Sequence, residues 1–261
     1  MKLILFTLLL SSWAWSKPTV LVSYFDPFGN ASVNNSETVA KLIVEKTAQI
    51  GVPYSIKLCK VQTKFDVSFD ELKNCVNELP EKPVMVLGLG ETGCDLKIEL
   101  MARNLDRTYG PDNAGVERRN TEIIKDAPVA VGFNYPLSEM FCSLPASERK
   151  DIKVSNSAGS FVCNNMAYQA AWLESDLNFG FMHVPSYNCR NLSERNEKIV
   201  DKLITMINRG VEVSLENPVR PRLPVTKEEI ADSRNQASGD SCLSSFFKQA
   251  RPWDAKSIWG N

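Results

Sequence analysis

Apolar positions follow two rhythms along this chain. Short continuous apolar runs rich in β-branched residues, bounded by turn residues, read as buried strands; stretches in which apolar positions return every three or four residues read as helices. Thr19 to Phe25 is the first strand, ending in the turn-like Asp26-Pro27-Phe28-Gly29-Asn30. Asn34 to Ser36 then offer capping side chains to a helix carrying Val39, Leu42, Ile43 and Ile50. Strand Tyr54 to Val61, helix Ser68 to Leu79 and strand Pro83 to Leu87 follow, the last running into the loop-like Gly88-Leu89-Gly90-Glu91-Thr92-Gly93.

The alternation continues with an apolar run from Ala127 to Gly132, a helix near Ser138 to Ser147, a strand Ile152 to Ser155, a helix after Phe161, and a strand Phe179 to Val184. A last helix spans about Ser193 to Asn208, with Ile199, Leu203 and Ile207 inward and Gly210 at its end. Strands and helices in alternation predict an α/β fold: a three-layer α/β/α sandwich with a largely parallel central sheet, forming one domain over 17–215. Beyond Leu215 the prolines at 218, 221 and 224 exclude a continuing helix or central strand. Residues 216–261 are expected to be a Pro-rich linker and a packed C-terminal extension, since Phe246, Phe247, Trp253 and Trp259 make it too aromatic for a disordered tail.

Composition narrows the function. A net charge of -1 gives no basic surplus to neutralise phosphates, so nucleic acid is not expected as a partner. Residues 1–16 join Lys2, the apolar run Leu3 to Leu10 and the small-x-small site Ala14-Trp15-Ser16, the three parts of a signal peptide cleaved before Lys17. The run is far below the roughly 20 residues that span a bilayer, so no stable membrane span is expected. Export to a periplasm or the cell exterior follows. Sequons at Asn30, Asn34 and Asn191 would accept glycans on a eukaryotic route.

Seven cysteines, an odd number, suggest three bridges and one free thiol in an exported chain. The spacing leaves their connectivity open. With one histidine and no C-x-x-C pair, no metal site is expected. Cys163 follows the small-residue loop Ser157 to Ser160 and opens a helix, where backbone N–H groups favour a thiolate and can hold an oxyanion. The same position also fits a buried, inert thiol. His183, the one histidine, closes a strand just before Pro185, where α/β sheets place their sites. Glu99 lies in the apolar context Leu96 to Leu100 and could orient an imidazole, or equally be an exposed strand glutamate.

Five separated motifs bring these residues together. Phe25-Asp26-Pro27-Phe28-Gly29 with Val33-Asn34-Asn35-Ser36, then Gly88, Ile98-Glu99 and Asn104, then Pro111-Asp112-Asn113-x-Gly115, then Ala158-Gly159-x-Phe161-Val162-Cys163-Asn164, and finally Phe181-Met182-His183-Val184-Pro185 resemble, in order and spacing, the signatures of the pyroglutamyl peptidase I family. The resemblance spans about Thr19 to Asn208. It implies a cysteine-type omega peptidase that removes pyroglutamate from blocked peptide N-termini, with Cys163 as nucleophile, His183 as base and then acid, and Glu99 orienting His183. Phe25 and Phe28 would flank the flat lactam, with Asn34 near it and the backbone around Leu89 offering polar contacts. No metal or organic cofactor is implied.

Departures from the family pattern cluster around the implied pocket: Tyr24 for a glycine, Leu89-Gly90-Glu91-Thr92-Gly93-Cys94 for a glycine-rich stretch with a basic residue, and Tyr109 for a frequent arginine. They keep open a binding protein without catalysis, or one of altered specificity, on the same fold.

Overall fold

A computed structural model describes residues 17–108, 110–218, 220–236 and 241–249. The signal-peptide expectation, Tyr109, Trp253 and Trp259 lie outside the described residues. Strands β1 (Thr19–Phe25), β2 (Ser55–Val61), β3 (Met85–Glu91), β4 (Leu96–Glu99), β9 (Ile152–Ser155) and β10 (Phe179–Val184) form one sheet in the order β2-β1-β3-β10-β4-β9. The first four of that order run parallel, and β4 pairs antiparallel with β10 but parallel with β9. Two small ribbons, β5 (Met101–Arg103) with β8 (Ala130–Gly132) and β6 (Asp106–Arg107) with β7 (Arg119–Thr121), fill the excursion after β4.

Helices α1 (Asn35–Ile50) and α6 (Leu192–Glu216) pack together over the sheet, as do α2 (Ser68–Asn77) and α5 (Val162–Leu173). This is the expected α/β sandwich. Because β1, β3 and β10 are covered on both faces, they read as unbroken apolar runs rather than alternating ones. Asn34 caps α1 through its side-chain oxygen, and Gly51 ends the helix in the left-handed region. Ile50, in the last turn, faces solvent instead of the core.

Three expectations change. β3 continues through Gly88 and Gly90 to Glu91, because β10 pairs with it as far as Glu91; a side chain at Gly88 would strike Phe181. The single helix expected over 138–147 is two short ones, α3 (Leu137–Cys142) and α4 (Ala146–Arg149), since Pro145 cannot continue α3. α6 does not stop at Gly210 but runs to Glu216. Gly210 is an interior contact there: a Cβ would stand 2.7 Å from Met85 Sδ and 3.0 Å from Met140 Sδ.

After α6 the chain becomes a strap. Leu223 N–H donates to Phe133 O at 2.6 Å, Arg220 pairs with Glu139, and Arg222 donates to Ala171 O while its guanidinium lies over Trp172. Helices α7 (Lys227–Gln236) and α8 (Ser241–Gln249) follow; Ile230 and Phe246 are buried, and Phe246 meets Phe141. Disulfides join Cys59 to Cys75, Cys94 to Cys189 and Cys142 to Cys242, leaving Cys163 free. No helix of the described residues is long and apolar enough to cross a membrane.

Candidate active site

The site forms where β1 parts from β3. β1 follows β3 only to the pair Tyr24 with Leu89, whereas β10 follows it two residues further. The fork opens at the carboxyl ends of these strands, the usual place for a site in an α/β sheet. His183 pairs with Gly90 across the β10–β3 ladder, so both point to the face covered by α5. A Cβ on Gly90 would stand 2.9 Å from Cys163 Sγ and 3.1 Å from His183 Cδ2. Sulfur and imidazole therefore meet over the bare backbone of Gly90.

Glu99 is brought in by the antiparallel strand β4. Its Oε1 lies 2.8 Å from His183 Nδ1, and the two residues are 1% and 4% exposed. That contact fixes the tautomer: Nδ1–H donates to the carboxylate, leaving Nε2, next to Cδ2, as the unprotonated ring nitrogen. The exposed-strand reading of Glu99 is thus excluded. Arg103, half-buried, lies within electrostatic reach of Glu99: burial lowers its pKa and the nearby Glu99 opposes that shift.

α5 is sewn in place by the residues after the cysteine. Asn164 Oδ1 accepts from Arg103 N–H at 2.8 Å while its amide donates to Arg103 O and Leu105 O. Asn165 donates to Asp106 Oδ2 at 2.8 Å, and Arg107 N–H donates to Ser160 O. With these anchors the first turn of α5 holds its free N–H groups beside Cys163. Burial, with the Glu91 and Glu99 carboxylates adding to it, pushes the Cys163 thiol up to about 12. The helix terminus alone does not produce a resting thiolate here: desolvation outweighs it.

The other sequence-derived residues occupy distinct places. Phe28 is 41% exposed and meets Phe161 edge-on at 4.9 Å, and Phe161 in turn meets Phe65. Phe25 lies in the core at 1% exposure. Asn34 is buried with both ends of its amide engaged: the oxygen accepts from Ser36 N–H and Oγ–H, and the nitrogen donates to Asp26 O. It holds the loop that carries Phe28, and its burial excludes it as a glycan acceptor in the folded protein. Leu89 turns its side chain into the core and leaves only its backbone at the fork.

Sequence reading passed over Glu91. Half-buried, it accepts from Asn35 N–H at 2.6 Å and from the Tyr187 backbone, and burial raises its pKa. Asn35 also donates to Pro185 O, so Glu91 and Asn35 tie β3, α1 and the segment after His183 into one unit. Asn35 stands inside the V-N-N-S motif, which marked it; Glu91 carried no signal beyond its place among glycines.

Residues 18–220 match the family model described as pyroglutamyl peptidase. This chain belongs to the pyroglutamyl peptidase family. Among its relatives, the pyrrolidone-carboxylate peptidases of Bacillus thuringiensis and Bacillus mycoides are 30% and 31% identical over 202 and 204 residues, covering 76% of this chain and 91% of theirs. The crystal structure of Bacillus amyloliquefaciens pyroglutamyl peptidase I matches 76% of this chain and 98% of its own with a TM-score of 0.65, at 24% identity. The pyrrolidone carboxyl peptidase from Thermococcus litoralis gives 0.64 over 80% of this chain and all of its own, at 23% identity. Both structures share the fold, and family membership makes the chain a cysteine-type omega peptidase.

Proposed function

We propose that the protein is an exported exopeptidase that hydrolyses the bond after an N-terminal pyroglutamyl residue, using Cys163, His183 and Glu99. The observation that carries this reading is the junction of the free thiol, the imidazole and the buried carboxylate over Gly90. His183 Nε2 removes the Cys163 proton as the sulfur attacks the pyroglutamyl carbonyl. Charge moves to the carbonyl oxygen, which the N–H groups at the start of α5 receive. The tetrahedral adduct collapses as His183 gives its proton to the departing amine, leaving a thioester. Water, deprotonated by His183, then attacks the thioester and returns the thiol. Glu99 stabilises the imidazolium formed in each half.

A lactam carries no net charge, so binding it calls for an aromatic face and a few directed backbone groups. Phe28 with Phe161 offers the aromatic face, and the edge of β3 that β1 leaves beyond Leu89 offers backbone groups. Export is supported by the pattern of residues 1–16 and by bridges that use every cysteine except the nucleophile. The test is release of aminomethylcoumarin from its pyroglutamyl amide by the protein starting at Lys17, beside Cys163→Ala. Turnover by the wild type and none by the variant is expected. Turnover by both would remove Cys163 from the mechanism, and none by either would end the peptidase reading.

A further inference from the structure

Paired residues on adjacent strands share a face of the sheet, so the strand register carries the catalytic face outward past His183. His183 stands opposite Lys97 on β4, and Lys97 stands opposite Lys153 on β9. With strands about 4.8 Å apart, Lys97 lies one spacing beyond the imidazole and Lys153 two. Lys97, Lys153, Ser155 and Asn156 line an open groove of about 610 Å³, and its far wall is the end of α8, Lys248 and Gln249. α8 belongs to the extension that follows the family match, and the Cys142–Cys242 bridge holds it there.

The groove lining contains three cations and no acid; Asp95, outside the lining, pairs with Lys153. Among the described residues no ion pair engages Lys97 or Lys248. Such clustering stands out in a chain of net charge -1. Like charges side by side repel, and an anion between them relieves that repulsion.

Direction follows from the chemistry. In the proposed reaction the acyl ring lies at the fork of β1 and β3, near Phe28, and His183 on β10 protonates the departing amine. The leaving peptide therefore continues from β10 over β4 towards β9. An extended chain advances about 3.3 Å per residue, so its second and third residues span the roughly 5 to 10 Å to Lys97 and Lys153.

Resting on the peptidase reading above, we propose that Lys97, Lys153 and Lys248 select pyroglutamyl peptides with an anionic group on the second or third residue after the scissile bond. That group is an acidic side chain or the terminal carboxylate of a short peptide. The experiment compares kcat/KM at low ionic strength for pyroglutamyl-Ala-Glu-amide, pyroglutamyl-Ala-Lys-amide, pyroglutamyl-Ala-Ala-amide and the free acid of the last. The Glu peptide is expected to exceed the Lys peptide by about five- to tenfold, a ratio that salt reduces. An advantage of the free acid over its amide would assign the terminal carboxylate as a second source. Within Lys97→Gln and within Lys248→Gln, the Glu-to-Lys ratio should fall towards one. Equal kcat/KM for all four, or a ratio that both substitutions leave intact, overturns the proposal. Should the wild type cleave none of them, calorimetric binding of the same peptides to Cys163→Ala reads the groove alone: acid-selective binding supports it and equal binding overturns it. Loss of hydrolysis counts against the peptidase reading, and loss of discrimination against the groove.

Discussion

A buried carboxylate against the single histidine, and a thiol whose pKa its surroundings raise, frame the proposed chemistry at the residue scale. Glu99→Gln keeps an acceptor near Nδ1 but removes the charge that balances the imidazolium. Its kcat should fall by about 10² to 10⁴, with thermal stability measured alongside to separate this from unfolding. A thiol pushed up to about 12 gives a second expectation. In His183→Ala, which lacks the proton acceptor, iodoacetamide labelling of Cys163 should keep rising with pH beyond 9 and show no plateau near neutrality. A plateau at pH 6–8 would mean a thiolate stabilised without His183. Asp106 tests pH and stability together. Burial raises its carboxyl to about 7, opposed by the hydrogen bond from Asn165. The unfolded chain loses this proton near pH 4, so the fold is favoured below that pH and loses stability as pH rises to about 7, by up to about 4 kcal/mol. Denaturant titrations at pH 5 and pH 8 should show about 3 kcal/mol of that loss, and Asp106→Asn should flatten the slope. An unchanged slope would place the ionised form comfortably in the fold.

Elements tell how far the sequence could be read. β1 and β10 were legible because strands covered on both faces are short, unbroken apolar runs with sharp ends. The motifs marked Cys163 and His183, while Glu99 on its own looked like any strand acid; the antiparallel register of β4 and its contact with His183 show what it faces. Gly88 and Gly90 misled for a physical reason. Glycine signals a loop in a sequence, but here the ring of Phe181 and the Cys163 sulfur occupy the space their side chains would need. Gly210 misled in the same way, as a contact with Met85 and Met140 rather than a helix stop. The lysine groove was illegible because Lys97, Lys153 and Lys248 come from three distant stretches joined only by strand order and a disulfide. Replacing Cys142 and Cys242 together with serine should cost about 2 to 4 kcal/mol and raise amide exchange throughout α8. Unchanged exchange there would show that the buried Phe246 suffices to seat the helix.

At the scale of the whole molecule, one sheet and the helix packed on it position every proposed catalytic group. β10 supplies the histidine, β4 the carboxylate, the fork of β1 and β3 the acyl side, and α5 the thiol with its N–H groups. The strap and α8 then extend the fold around the β9 edge, next to the path proposed for the leaving peptide. Trapping the acyl-enzyme tests this account most directly. Wild-type protein mixed with excess pyroglutamyl substrate, quenched in acid within the first turnover and digested, should carry one pyroglutamyl group as a thioester on Cys163, labile to hydroxylamine and absent from Cys163→Ala. Substrate turnover with no acyl group on Cys163, or the group on another residue, would contradict it.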